Sequence, residues 1–338
     1  MRLLVVRLGS LGDLVHTLPA VAALHRADPG TEIDWLVDAP HVEFLSLVPT
    51  IASIVTLHER TASAWFDVRR RLRARAYDVA ADFQGLVKSA ALARLSGAAR
   101  VMGFDRASLR EAAASWFYSE QVDVGEGRHV IVKNLRLAAA IGATRAEGEP
   151  LEFPLREVAT SVLDGIRARA GDRFAIVNCG AAWPNKRWPP ERFGELASRM
   201  RDEHGLTSVV LWGPAEQAMA TAVADASSGA AIVAPETGLS DLVAIARAAT
   251  ILISGDTGPT HIAGAVGTPI VALFGPTDPE RNGPWAADDL TISRYRQCDC
   301  HYERTCRRDT AHWCLADVTV DEVESAVAAR LRAAGART

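Results

Sequence analysis

Short apolar runs rich in β-branched residues alternate with longer Ala-, Leu- and Arg-rich segments of helical period along the whole chain, at residues 3–6, 33–37, 79–81, 174–177, 207–212, 231–234 and 270–274. This alternation restricts the fold more than any other feature. Alternating strand-like and helical segments of this kind argue for parallel sheets covered by helices on both faces. The expected class is therefore α/β, with doubly wound parallel sheets. The pattern restarts near Phe174, after the Gly148-Glu149-Pro150 passage and a polar helical segment ending at Gly171-Asp172. A chain of 338 residues has room for two domains. The boundary is expected to separate an N-terminal domain over 1–155 from a second over 156–319. A last helix at about 320–336 is expected to pack back toward the first domain.

Each half opens with a strand that runs into a loop of special composition, Leu8-Gly9-Ser10-Leu11-Gly12-Asp13 in the first and Asn178-Cys179-Gly180-Ala181-Ala182 in the second. Loops of this kind leave the carboxyl ends of strands, where open α/β sheets bind ligands. Residues 250–279, TILISGDTGPTHIAGAVGTPIVALFGPTDP, repeat the logic as strand, Gly-rich turn, helix and second strand. The strand is expected over 250–253 and the helix from near Thr260. A helix N-terminus presents N–H groups and a partial positive charge, so a turn without bulky side chains fits phosphate oxygens. Taken alone, the same glycines equally make a tight β-to-α turn.

Composition narrows the function classes. With 49% hydrophobic and 23% charged residues and a formal net charge of -4, the chain reads as an ordinary globular protein and not as a general nucleic-acid binder. The N-terminal MRLLVVRLGSLGD is interrupted by Arg7 and lacks a signal peptide's apolar core. No stretch reaches the roughly 18 to 20 apolar residues that span a bilayer. A cytoplasmic protein is expected, with its five cysteines reduced unless they bind a metal.

Several residues are placed where chemistry is possible. Asp13, at the start of a helix through Val15, Leu18, Val21 and Leu24, is either a first-turn carboxylate or a general base. His16, one turn on, is a hydrogen-bonded helix histidine or a site residue. Lys186, in Trp183-Pro184-Asn185-Lys186-Arg187-Trp188, is a solvated loop lysine or a diphosphate partner. Glu216, just beyond the strand end at Gly213-Pro214, is a helix-start residue or an acceptor for ribose hydroxyls. Neither half carries G-x-G-x-x-G after its first strand, which disfavours a dinucleotide dehydrogenase.

Five motifs occur in one order: Ser10-Leu11-Gly12-Asp13, Asp82-Phe83-Gln84-Gly85-Leu86-Val87-Lys88-Ser89, Lys186-Arg187-Trp188-Pro189, the run from Ser254 to His261, and Phe274-Gly275-Pro276-Thr277-Asp278-Pro279. In this order the chain resembles the bacterial lipopolysaccharide heptosyltransferases of glycosyltransferase family 9, over about residues 1–284. The resemblance implies a GT-B fold, two Rossmann-like domains facing a central cleft. It also implies an inverting, metal-independent transfer of L-glycero-D-manno-heptose from ADP-heptose to the Kdo of Kdo2-lipid A, without a cofactor. It makes Asp13 the catalytic base and assigns the diphosphate to Lys186 and the backbone at Thr257 and Gly258. Glu216 would contact adenosine, Asp256 the heptose hydroxyls and His261 the far side of the donor pocket, with Gly238 and Pro259 also on the donor side. The acceptor would meet Ser10, Gly12, His16, Gln84, Lys88 and Arg110. The family commonly has two hydroxyl residues before the lysine loop, whereas this chain has Ala181 and Ala182, so only their backbone could assist.

An acceptor of this type lies in the inner membrane, so peripheral contact with its cytoplasmic face is expected. Arg69, Arg70, Arg71, Arg73 and Arg75, extended by Lys88, Arg94, Arg100, Arg106 and Arg110, would attract an anionic glycolipid, or else form a solvated helix face. Cys298, Cys300, His301, Cys306, His312 and Cys314 hold enough soft ligands for a tetrahedral zinc site, although their spacing matches none of the common zinc patterns. A structural role fits this segment better than a catalytic one. Related activities remain open: addition of a later heptose, transfer of another nucleotide-activated sugar, or sugar-nucleotide binding without turnover.

Overall fold

The computed structural model describes residues 1–59, 61–125, 129–146, 148–306 and 314–335. They form two compact units, Met1–Glu157 and Val158–Thr338. The first contains β1 (Arg2–Val6), β2 (Glu32–Asp38), β3 (Ser53–Leu57), β4 (Val79–Asp82), β5 (Arg100–Phe104) and β6 (Glu120–Val122). Its helices are α1 (Leu11–Ala27), α2 (Val42–Ser46), α3 (Ala62–Arg73), α4 (Val87–Leu95) and α5 (Val130–Ile141). The second unit contains β7 (Phe174–Asn178), β8 (Thr207–Leu211), β9 (Ala231–Val233), β10 (Ile251–Gly255), β11 (Ile270–Phe274) and β12 (Leu290–Ser293). Its helices are α6 (Ser161–Ala170), α7 (Pro190–His204), α8 (Gln217–Ala226), α9 (Leu239–Ala248), α10 (Gly258–Ala265), α11 (Pro279–Asn282) and α12 (Val320–Gly335).

Each unit is built on a six-stranded sheet, in the order β3-β2-β1-β4-β5-β6 and, read in the same sense, β9-β8-β7-β10-β11-β12. Every strand pair is parallel, with Val5 set against Trp35 on one side and Ala81 on the other. Central strands explain the choice of residues. Leu3, Leu4, Val5, Val6 and Phe174, Ala175, Ile176, Val177 are all 0% exposed. A fully buried Val or Leu side chain contributes about 1.5–3 kcal/mol, and only a strand covered on both faces can bury four in succession.

The two sheets share one strand order, so each reverses direction at one place, between β1 and β4 and between β7 and β10. The loops after those strands are where such sheets bind ligands. The helix after β10 begins at Gly258 instead of near Thr260, because Thr257 is the extended N-cap and Pro259 occupies the first turn. Thr250, expected within the strand, precedes β10 while its N–H still bonds Phe174 O at 2.8 Å.

The C-terminal helix α12 is part of the second unit. Val320, Val323 and Val327 are buried in one cluster with Leu196, Met200 and Leu273. Arg330 adds an ion pair to buried Asp289 at 2.9 Å. No described helix is long and apolar enough to cross a membrane.

Candidate active site

In the first unit the sheet reversal is closed by polar side chains. Leu8 N donates to Gln84 Oε1 at 2.7 Å, and Arg7 donates to Phe83 O, so the loops after β1 and β4 are tied together. Beneath them Asp82 is fully buried and accepts from Gln84 N (2.9 Å), Gly85 N (3.2 Å), Ser89 Oγ (2.9 Å) and Tyr118 OH (2.7 Å). Burial raises the Asp82 carboxyl above its usual range, and these donors oppose that shift without cancelling it.

Asp13 stands in the first turn of α1 and is linked to these loops through Arg7. Its Oδ2 accepts from Ser10 N at 3.1 Å and from Ser10 Oγ at 3.2 Å, and Arg7 pairs with its Oδ1 at 2.5 Å. The arginine is nearly inaccessible, whereas the Asp13 side chain keeps 35% of its surface exposed. The result is a carboxylate fixed in place with one face open to solvent. Gly12 is buried beside it. Lys88, in the first turn of α4, lies 3.5 Å from Asp38 Oδ1 at the end of β2. Arg110 is exposed. His16 is placed in the packing of α1 on α5, with its ring edge-to-face on His129 at 5.4 Å and its carbonyl accepting from Asn134.

The second unit repeats the design. Asn178, at the end of β7, donates to Gly180 O (3.1 Å), Ser254 Oγ (3.1 Å) and Thr257 Oγ1 (3.2 Å), tying the loops after β7 and β10. Cys179 beside it is buried, and burial pushes its thiol up to about 12, so it is an inert core residue. The turn of three residues before Arg187 delivers Lys186, whose ammonium lies 2.5 Å from Asp256 Oδ2 and 4.6 Å from the centre of the Trp183 ring. Asp256 also accepts from Thr277 Oγ1 (2.8 Å) and Asn282 Nδ2 (2.7 Å), and His261 Nε2 lies 3.5 Å from it. Burial alone would raise this carboxyl; His261 and Lys186 outweigh burial and hold it well below the usual carboxylate range.

No side chain caps the N-terminus of α10 at Thr257, so the amides of its first turn remain turned toward the loop. An ammonium beside such a terminus is an anion cradle. Pro259 fixes the start of the helix. Glu216 is the N-cap residue of α8, and its Oε2 accepts from Gly213 N at 2.9 Å. Arg187 reaches both Glu216 Oε1 (3.8 Å) and the carbonyl of buried Ala181 (2.8 Å). Ala182 is exposed. Gly238 lies at the exposed N-terminus of α9, its N–H bonded to Asp241 Oδ2 at 3.0 Å.

Lys186, Asp256, Thr257 and His261 are thus brought into one cluster, and Ser10, Asp13 and Gln84 into another. Sequence reasoning missed Arg7, Asn178, Thr277 and Asn282 as site residues. For Thr277 the Gly275-Pro276-Thr277-Asp278-Pro279 turn offered a signal, because a hydroxyl in the turn after a strand end is well placed to bond the loop after the neighbouring strand.

Residues 65–312 match glycosyltransferase family 9 (heptosyltransferase). The lipopolysaccharide heptosyltransferase 1 of Pseudomonas aeruginosa is 32% identical over 321 residues, which cover 90% of this chain and 87% of that protein. The solved structure of Escherichia coli heptosyltransferase WaaC with ADP superposes with a TM-score of 0.79 at 26% identity, covering 97% of this chain and 99% of the other. The same enzyme with ADP-2-deoxy-2-fluoro heptose gives a TM-score of 0.76 at 25% identity, again covering 97% and 99%.

Proposed function

This chain belongs to glycosyltransferase family 9 and has the GT-B fold, and from that premise we propose that it transfers L-glycero-D-manno-heptose from ADP-heptose to the Kdo of Kdo2-lipid A in building the lipopolysaccharide core. The observation that carries the reading is the paired arrangement at the two sheet reversals: a fixed, solvent-open carboxylate at Asp13 in one unit, and an ammonium beside an uncapped helix terminus at Lys186 and α10 in the other.

The chemistry follows from those groups. Asp13 accepts the proton of the acceptor hydroxyl as its oxygen forms a bond to the anomeric carbon. The bond from that carbon to the diphosphate oxygen breaks in the same displacement, which inverts the centre. Negative charge then gathers on the departing ADP, where Lys186 and the amides at Thr257 and Gly258 receive it. Asp256 and His261 contact the sugar, and Glu216 with Arg187 borders the adenosine. Gln84, Lys88 and Arg110 meet the acceptor's carboxylates and phosphates. The exposed Arg71, Arg73, Arg94, Arg106 and Arg110 draw the first unit to an anionic membrane surface on the cytoplasmic side, each contributing on the order of 1 kcal/mol near that surface.

Mass spectrometry of Kdo2-lipid A incubated with ADP-heptose and the enzyme tests the proposal. A product one heptose heavier is expected. Transfer only to an acceptor that already bears heptose would replace this reading with addition of a later heptose, and turnover only with another nucleotide sugar would replace the donor.

A further inference from the structure

Four of the five cysteines fall between Cys298 and Cys314 in the second unit, and the fold gathers their thiols. Cys298 Sγ and Cys314 Sγ are 3.2 Å apart, and the sulfurs of Cys298, Cys300 and Cys314 all lie within 4.8 Å of one another. Cys306 lines the same cavity, together with Arg294, Asp299 and Asp317. His312 lies outside the described residues.

A disulfide holds its sulfurs about 2.05 Å apart, so the closest pair is not at bonding distance. Four thiolates around a tetrahedral ion with metal–sulfur bonds of about 2.3 Å have sulfurs roughly 3.8 Å apart. That value falls inside the observed spread. Cys300 N lies 3.3 Å from Cys298 Sγ and donates to it, the type of backbone bond that steadies a charged sulfur. A divalent ion held there is bound by thiolates, each ligating thiol releasing its proton to solvent.

The surrounding contacts show what such an ion would hold. Between Cys298 and Cys306 the chain has neither helix nor strand, yet it props both loops of the Lys186 cluster. Asn185 Nδ2 donates to Glu303 O at 2.7 Å and Tyr302 N to Pro276 O at 2.9 Å. Gly275 admits the segment closely, since a Cβ there would lie 2.9 Å from Cys314 Cβ. Lys186 and Thr277, the neighbours of Asn185 and Pro276, both bond Asp256.

We propose that Cys298, Cys300, Cys306 and Cys314 form a tetrathiolate site for one structural thiophilic divalent ion, zinc or iron, which fixes the loop that supports the donor-binding residues. The four-sulfur donor set suits both ions, and element analysis separates them.

The full-length chain purified without chelator is expected to carry about one zinc or iron per chain by mass-spectrometric element analysis. After removal of that metal, Co(II) is expected to restore a stoichiometric complex with a thiolate-to-cobalt charge-transfer band in the near ultraviolet. Cys298→Ser and Cys314→Ser are each expected to lower metal affinity by about tenfold or more, while Cys179→Ala, whose thiol lies outside the cluster, keeps the metal. The wild-type metal count and cobalt spectrum decide the matter even where a ligand variant does not fold. Substoichiometric metal after reconstitution with both ions, a cobalt complex without thiolate bands, or a Cys298–Cys314 disulfide in non-reducing peptide mapping overturns the proposal. Unchanged affinity in a folded Cys298→Ser or Cys314→Ser protein does the same.

Discussion

The Lys186 ammonium lies 2.5 Å from Asp256 Oδ2, and both side chains are largely withdrawn from solvent, at 14% and 5% exposed. The cation proposed to receive the diphosphate is therefore held in position before any donor arrives. A diphosphate at α10 must share Lys186 with Asp256, which keeps Thr277 and Asn282 as further donors when it does. Lys186→Met removes a charged hydrogen bond worth about 1.5–3 kcal/mol, so ADP binding is expected to weaken roughly ten- to a hundredfold. The variant also leaves Asp256 buried without its cation, a loss on the order of 3–5 kcal/mol of stability. Titration calorimetry with ADP checks the first effect; affinity within about twofold of wild type would remove Lys186 from the donor site.

Asp13 separates binding from turnover. Asp13→Asn keeps an oxygen able to accept from Ser10 N but cannot take a proton from the acceptor. Turnover is expected to fall by about 10²–10⁴, the usual contribution of a general base, with ADP affinity unchanged. Single-turnover kinetics alongside ADP calorimetry reads the two separately. Near-normal turnover would make Asp13 only the first-turn carboxylate that its bonds to Ser10 already describe.

The regular parts of this protein were legible because they depend on local pattern. Strand β11 falls on residues 270–274 as expected, since an unbroken apolar run is bounded by Pro269 and Gly275. The polar stitching was not legible, because it joins residues far apart in sequence. Arg7 reads as a break in an apolar run, yet it is buried because Asp13 takes its charge at one terminal nitrogen and Phe83 O accepts from the other. Asn178 looks like any strand-end polar residue until Ser254 and Thr257 are brought beside it. The arginine run shows the same limit: Arg75 bonds buried Asp34 at 2.8 Å and Arg70 bonds Asp67 at 2.6 Å, so only part of that charge is available to a partner.

Asp256 also sets an acid limit on stability. Burial opposes its ionisation, but His261 and Lys186 overcome that and lower its folded-state titration below the unfolded value. Its stabilising contribution is therefore complete above the unfolded pKa of about 3.9 and is lost as pH falls below it. Asp256→Asn removes this dependence. Urea unfolding followed by tryptophan fluorescence is expected to show wild type and variant furthest apart near pH 7 and converging from about pH 5 to 3. A gap of constant size across that range would mean that the Asp256 charge is not what stabilises the loop.

Gly180 and Glu216 form the tightest fit at the donor half-site. A Cβ built on Gly180 would lie 1.9 Å from Glu216 Oε2, the oxygen that accepts from Gly213 N. Gly180→Ala must displace that carboxylate, at a cost of about 1–3 kcal/mol for overpacking, and it frees Gly213 N and Arg187 from their acceptor. ADP binding is expected to weaken if Glu216 borders the adenosine. Glu216→Ala alone removes the acceptor but not the space, and the double variant places the new methyl where the carboxylate had been. The two substitutions are therefore expected to be non-additive, with the double variant more stable than the sum of single effects predicts by about 0.5–3 kcal/mol. A thermal-unfolding cycle over the four proteins measures that coupling, and simple additivity would show that the loop after β7 moves away from Glu216 instead of pushing against it.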